Sequence, residues 1–232
     1  MHSPLLIDVI IPAYNEAASI GKVIAAIPRQ LVRDIIVCNN NSTDNTASVA
    51  RQSGAIVVDQ PIRGYGIACL AGMAYIRRRA IETQPDVVVF MDGDYSDYPH
   101  EMQALINPIL EGKDMVIGSR VRGNADPGSL TPVQRFGNWL ATNLISIMYG
   151  FRFTDLGPFR AIRWQKLLAL DMKDTNYGWT VEMQVKAIQQ HLSCAEVPVS
   201  YRKRIGQSKV SGTVKGSVLA GHKILWTIFK SL

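Results

Sequence analysis

The chain of 232 residues, 47% hydrophobic and 19% charged, has enough apolar material for one substantial core and is not composed like a disordered protein. No apolar run reaches the roughly 20 residues that a bilayer span needs, and Met1–Asp8 lacks the basic flank of a secretory leader. The net charge of +6 resides in the tail: Tyr201–Leu232 holds seven Lys and Arg and no Asp or Glu, which leaves about −1 elsewhere and points to an anionic partner for the tail.

Leu6–Ile11 is an apolar run closed by Pro12 and reads as a buried strand, with a helix expected over Glu16–Ile27. Asp34–Cys38 gives a second strand, an Asn-rich loop follows, and Ser42 or Thr43 is placed to cap a helix over Asp44–Gln52. A third strand is expected at Ala55–Val58 and a helix at Gly66–Thr83. Asp86–Met91 is the clearest buried strand, with a helix at His100–Leu110 and a strand at Asp114–Gly118 after it. Short apolar strands alternating with helices predict an α/β fold with a mostly parallel central sheet flanked by helices, and ligands at the carboxyl ends of its strands.

Beyond Gly118 the pattern is less regular. Pro127–Pro132 reads as a loop, Val133–Tyr149 as a long helix, and Thr154–Ala161 as a loop broken by Gly and Pro. Helices near Trp164–Leu170 and Trp179–Gln190, a strand at Glu196–Ser200 and a C-terminal amphipathic helix over Val214–Phe229 complete the chain. In that last helix Val214, Val218, Leu225 and Phe229 share one stripe and Lys215, Lys223 and Lys230 another, a pattern suited either to an anionic membrane surface or to the protein's own core. Cys38, Cys69 and Cys194 are odd in number, widely spaced and without a CxxC pair, and the four histidines are scattered. This favours buried thiols in a reduced, cytoplasmic protein over a disulfide or zinc framework.

The central chemical signal is Asp92-Gly93-Asp94, directly after the strongest strand. Two carboxylates two residues apart on a loop are able to face one hard cation, and oxygen ligands with open positions suit Mg²⁺ or Mn²⁺ shared with phosphates. Standing alone, such a pair is more often a solvated acidic turn. Arg63-Gly64-Tyr65-Gly66 precedes a helix but is no dinucleotide-binding loop, because Cys69 takes the last glycine position and the first strand is elsewhere.

IIPAYNE (Ile10–Glu16), CNNNSTDNT (Cys38–Thr46), MDGDYSDYP (Met91–Pro99) and IGSR (Ile117–Arg120) occur in the order found in glycosyltransferase family 2, which the chain resembles over nearly its whole length. FTDLGPFRA (Phe153–Ala161), WTVEMQ (Trp179–Gln184), EVPVSYR (Glu196–Arg202) and GQSKVSGT (Gly206–Thr213) resemble the branch of dolichyl- and polyprenyl-phosphate sugar transferases. The resemblance implies a single GT-A-type domain over residues 1–211, with a donor half (1–120), an acceptor half (121–211) and a C-terminal helix (212–232).

It also implies roles. Pro12, Ala13, Tyr14 and Glu16 would line the nucleotide pocket, and Asp92 and Asp94 would hold the metal on the diphosphate. Asn39 and Asn40 stand where relatives carry two aspartates, which leaves the base open; Asp44 is retained. Gly64 would belong to a loop over the diphosphate, and Arg120 and Arg135 would bind the acceptor phosphate. Asp155 and Arg160 brace their loop by a salt bridge in one reading. Trp179 and Glu182 share a helix face, and Glu182 is a candidate for orienting the sugar. Among the tail cations, Lys209 matches the family signature, while Arg202 and Arg204 flank a second expected position held by Lys203.

The implied reaction is inverting transfer of a hexose from a nucleoside-diphosphate sugar, UDP-glucose-like first and GDP-mannose second, to polyprenyl or dolichyl phosphate. The implied place is the cytoplasm, peripheral on the inner membrane face. An anionic lipid phosphate needs no strong base, whereas a hydroxyl acceptor would call on Asp97 or Glu182. A catalytically silent nucleotide-sugar-binding module and a transferase with a soluble or glycan acceptor stay open. A nucleic-acid partner is disfavoured, because Asp92 and Asp94 repel phosphate in the absence of metal.

Overall fold

The computed structural model describes residues 5–206 and 214–230. Its core is a seven-stranded mixed sheet in the order β3-β2-β1-β4-β6-β5-β7. The strands are β1 (Ile7–Ala13), β2 (Asp34–Asn39), β3 (Ile56–Asp59), β4 (Val87–Phe90), β5 (Met115–Ser119), β6 (Arg160–Arg163) and β7 (Cys194–Pro198). The helices are α1 (Ile20–Ala26), α2 (Thr46–Gln52), α3 (Tyr65–Arg77), α4 (Met102–Leu110), α5 (Pro132–Tyr149), α6 (Trp164–Ala169), α7 (Trp179–Gln189) and α8 (Val214–Lys230).

The strands bury both faces, so successive side chains enter two separate cores. Ile10, Ile36, Val88 and Phe90 point into a core with α3, α5 and α7. Val9, Ile11, Ile35, Val37, Val87 and Val89 point into the other, with α1 and α4. A fully buried polar side chain interrupts the pattern in β1: Asp8 is held by Arg33 at 2.7 Å and Arg79 at 2.8 Å, at the end of the sheet away from the site.

The chain runs outward through β1, β2 and β3 and then returns to place β4 on the other side of β1. A crevice therefore opens between the carboxyl ends of β1 and β4, the position where such sheets bind ligands. Ala13 and Phe90 end these strands, which brings Tyr14–Glu16 beside Asp92–Asp94.

The loop expected over Thr154–Ala161 runs into β6 at Arg160, and the sequence predicts no strand at Arg160–Arg163. Strand β6 is antiparallel to both β4 and β5, between which it lies. Helix α1 begins at Ile20 rather than Glu16, because the Glu16 carbonyl takes the amides of Ser19 and Ile20 in a preceding turn. Helix α3 stops at Arg77, and only a 3₁₀ turn, Ile81–Thr83, lies in the rest of its expected span. Helix α5 is the best defined at its ends: Thr131 and Gln134 form a reciprocal capping box, Pro132 opens the first turn, and Gly150 closes the helix at φ 71°.

Helix α8 packs on α5 and α7. Ile228 is fully buried, its carbonyl accepts from the Tyr149 hydroxyl at 2.6 Å, and Lys223 pairs with Asp174 at 2.9 Å. The buried face is thus that of Ile228, while Phe229 of the expected apolar stripe is exposed. The side chains of Val214, Lys215 and Val218 and the expected boundary at 212 lie outside the described residues. Among the described residues no helix is long and apolar enough to cross a membrane.

Candidate active site

The turn after β4 places three carboxylates together. Tyr95 adopts φ 66°, which reverses the chain and lets the amide and hydroxyl of Ser96 both donate to Asp94 Oδ1. Asp92 Oδ1 accepts from the Tyr65 hydroxyl at 3.1 Å, at the start of α3. Asp97 is 2% exposed; its Oδ2 accepts from the Asp92 amide at 3.3 Å, and its Oδ1 is buried without a partner among the described residues. Burial and the neighbouring Asp94 push the Asp92 carboxyl up to about 7, and burial with Asp92 and Asp94 pushes Asp97 well above the usual carboxylate range.

Excess negative charge of this kind, with an unpaired buried oxygen, fits a divalent cation. Among the described residues no group of three or more His, Cys, Asp or Glu is arranged to hold a metal. Asp92 and Asp94 present carboxylate oxygens of the hard type that a divalent cation shared with phosphate takes.

The tail answers the charge with two arginines in different ways. Arg204 reaches Asp94 Oδ2 at 3.2 Å and Glu16 Oε1 at 3.0 Å. Arg202 instead lies 3.5 Å from the Tyr95 ring and 4.1 Å from the Tyr98 ring, and donates to the carbonyls of Tyr95 and Asp97. Arg202 therefore clamps the carboxylate turn, and Arg204 alone of the two enters the site. Lys209 lies outside the described residues.

Beyond β1 and β2, Asn15 and Asn41 take left-handed conformations, at φ 52° and 58°. Asp44 accepts from the Ala17 amide at 3.2 Å and from both the amide and hydroxyl of Thr46; Thr46 in turn receives the Glu16 amide at 2.8 Å. These bonds tie the β1 and β2 loops together beside the buried Pro12 and Ala13. Asn39 donates to Asp59 at 2.7 Å, and Asn40 holds the Ile62 carbonyl at 2.6 Å and the Gly64 amide at 2.8 Å. The Asn40 amide thus acts as a brace, using donor and acceptor ends that an aspartate could not offer together. Gly64 sits at φ 151°, where a Cβ would meet the Thr175 carbonyl oxygen at 2.3 Å, and Arg63 covers the Tyr14 ring at 3.6 Å.

On the other side, Arg120 directly follows β5 and is gripped by Asp155 in a bidentate pair at 2.8 and 2.6 Å, while its own amide donates to the same carboxylate at 2.7 Å. Burial opposes the Arg120 charge, but Asp155 more than restores it and raises the group above its ordinary value. Arg160 is not the salt-bridge partner of Asp155 that the sequence suggested. It is buried and donates to the carbonyls of Leu156, Gly157 and Thr180, and burial lowers it to about 10.

Glu182 also departs from expectation. Its carboxylate accepts the amides of Lys173 at 2.9 Å and Asp174 at 2.7 Å and pairs with Lys186 at 2.7 Å, so it organises the loop before α7 instead of facing the cavity.

A cavity of about 960 Å³ opens from these groups. At its buried end stand Asp92, Asp94, Arg120 and Arg204; its walls include the 121–130 loop, α5, the 152–156 segment and the Ile224–Leu225 part of α8, with Arg135 exposed on the wall. Val133, Phe136 and Trp139 on that wall are each about 60% exposed, as 61%, 61% and 59%. Sequence reasoning missed Tyr65, Asp155 as the holder of Arg120, and this apolar wall.

An α/β sheet thus sets the paired carboxylates Asp92 and Asp94 at a strand end against Arg120 and Arg204 in one cavity. Residues 8–169 match the family model for glycosyl transferase family 2, and the chain belongs to that family and is a glycosyltransferase. An uncharacterized glycosyltransferase of Mycobacterium tuberculosis is 34% identical over 217 residues, 92% of this chain and 94% of the relative. A dolichyl-phosphate hexose transferase of Haloferax volcanii is 31% identical over 215 residues, 91% of this chain and 89% of the relative. Among solved structures, glucosyl-3-phosphoglycerate synthase of M. tuberculosis, in complex with Mn²⁺, UDP-glucose and phosphoglyceric acid, superposes with a TM-score of 0.75 at 24% identity, covering 98% of this chain and 79% of that one; it establishes likeness of fold.

Proposed function

We propose that the protein transfers a hexose, with inversion, from a nucleoside-diphosphate sugar to a polyprenyl phosphate on an anionic membrane surface. The observation that carries the acceptor class is the cavity: cationic and carboxylate groups line its buried end, and exposed apolar side chains of α5 line its wall. An amphiphile with a phosphate head and a hydrocarbon chain matches both. The relative named for dolichyl phosphate supports the same class.

Asp92 and Asp94 are the residues for a Mg²⁺ or Mn²⁺ ion, which when bound supplies charge neutralisation to a departing diphosphate. The nucleotide lies against Pro12–Glu16 and the loops braced by Asn40 and Asp44. Arg120, pre-oriented by Asp155, and Arg135 hold the acceptor phosphate through charge-assisted hydrogen bonds. A phosphate oxygen of the acceptor attacks the anomeric carbon opposite the diphosphate; that carbon–oxygen bond forms as the bond to the diphosphate breaks and its electron pair leaves with the diphosphate. No proton needs removing, so neither Asp97 nor Glu182 carries a chemical step.

The test is transfer from UDP-glucose and GDP-mannose, with Mn²⁺ or Mg²⁺, to polyprenyl phosphate in phosphatidylglycerol vesicles and, in parallel, to 3-phosphoglycerate. The expected product is the polyprenyl-phosphate hexose. Transfer to 3-phosphoglycerate alone would overturn the lipid acceptor, and transfer to neither would overturn the proposal.

A further inference from the structure

We infer that Arg204 is a resident counterion that exchanges with the divalent cation at Asp94 and moves onto the nucleotide diphosphate. The inference rests on the metal-dependent reading above.

The two oxygens of Asp94 are not equivalent. Oδ1 is occupied by the amide and hydroxyl of Ser96, while Oδ2 is the oxygen Arg204 approaches at 3.2 Å. A cation approaching the oxygen that Ser96 leaves unoccupied therefore meets the guanidinium first. Arg204 also spans to Glu16 at 3.0 Å, so one side chain ties the carboxylate turn to the expected nucleotide pocket.

The arrangement leaves Arg204 incompletely satisfied. Among the described residues its Nε is buried without a hydrogen-bond partner, which leaves one of its five donors unused. An arriving diphosphate offers several acceptor oxygens to these donors.

The backbone makes such an exchange local. Two residues before Arg204, Arg202 is fixed by stacking on Tyr95 and Tyr98; one residue after it, the Ile205 amide donates to the Asp94 carbonyl at 2.9 Å. Anchored on both sides, Arg204 changes partner by turning its side chain. Metal and nucleotide then reinforce each other: the metal releases the guanidinium, the diphosphate captures it, and each raises the affinity for the other by the same factor.

The experiment compares Mn²⁺ binding, followed by the resonance of the free ion, in the full chain and in Arg204→Gln and Arg204→Lys. It is run with and without UDP, and thermal melting checks folding. Arg204→Gln is expected to bind Mn²⁺ alone roughly tenfold more tightly than the unaltered protein, because one neighbouring positive charge is gone. UDP should strengthen Mn²⁺ binding strongly in the unaltered protein and much less in the variant. Arg204→Lys keeps the charge without the fork and should hold Mn²⁺ alone nearly as weakly as the unaltered protein. Equal or weaker Mn²⁺ binding by a folded Arg204→Gln, or unchanged reinforcement by UDP, would overturn the exchange. Absence of Mn²⁺ binding by every form even with UDP would instead overturn the metal-dependent reading beneath it.

Discussion

Replacing Asp155 with Ala isolates the pair that pre-orients Arg120. The substitution removes a fully buried carboxylate that accepts the Arg120 amide, Nε and Nη2 at 2.7, 2.8 and 2.6 Å. Removing one member of a buried ion pair costs about 3–5 kcal/mol, because the other charge stays buried without a partner. Arg120 retains some access to the cavity, its side chain being 14% exposed, so the lower end applies. A lost hydrogen bond to a backbone amide adds about 1 kcal/mol. The expected loss is therefore about 3–4 kcal/mol, a large part of the roughly 5–15 kcal/mol that holds a domain folded. Urea unfolding followed by circular dichroism reads this as a lower midpoint at unchanged slope. The double variant Asp155→Ala with Arg120→Met should recover at least about 1 kcal/mol, since it removes the stranded charge as well. A loss below about 1 kcal/mol in the single variant, or no recovery in the double, would refute the assignment of Asp155 as the holder of Arg120.

Asp94→Asn keeps an oxygen for Ser96 while removing the charge, so transfer should fall at least about a hundredfold with the melting temperature little changed; unchanged turnover would sink the carboxylate assignment. Gly66→Ala should destabilise by about 2–3 kcal/mol, lowering Tm by roughly 5–10 °C, because the new Cβ would meet the Asp174 carbonyl oxygen at 2.0 Å; a neutral effect in thermal melting would contradict that close approach. Asp114 lies below the usual carboxylate range: burial opposes this, but hydrogen bonds from the Ser193 amide and hydroxyl, with Lys166 and Arg163 nearby, outweigh it. A depressed folded value means the stabilisation is present above the unfolded value and lost as pH falls through the folded one. The stability gap between the unaltered protein and Asp114→Asn should therefore be full near pH 7 and shrink below about pH 4; a gap independent of pH would exclude the charge as its source.

The parallel half of the fold was legible because each of its strands is a run of apolar residues bounded by turn formers, and Asp92 and Asp94 stand directly after the strongest of them. Strand β6 was not. Its four residues, Arg160–Arg163, begin and end with arginine, so neither alternation nor an apolar run marks it; it exists because β4 and β5 leave a gap that only a returning strand fills. The partners of charged side chains were the least legible part. Arg120, Asp155 and Arg160 were all visible as candidates, but their pairing depends on where the loop before β6 crosses the end of β5. Glu182 has the right chemistry for a sugar site and is spent on backbone amides, which no spacing rule foretells. Arg202 and Arg204 look interchangeable in the chain; the stack with Tyr95 and Tyr98 separates them.

Strand β6 also acts as a spacer. It keeps β4, which leads to Asp92 and Asp94, two interstrand steps from β5, which leads to Arg120, or about 9.5 Å between strand axes. That separation is written in backbone hydrogen bonds, so side-chain substitution along the rim leaves it unaltered. On the proposed reading the sheet itself gauges the gap between the departing diphosphate and the incoming phosphate. Donor preference is then free to drift through loop residues such as Asn40, while the interval into which the transferred sugar must fit stays set by strand order.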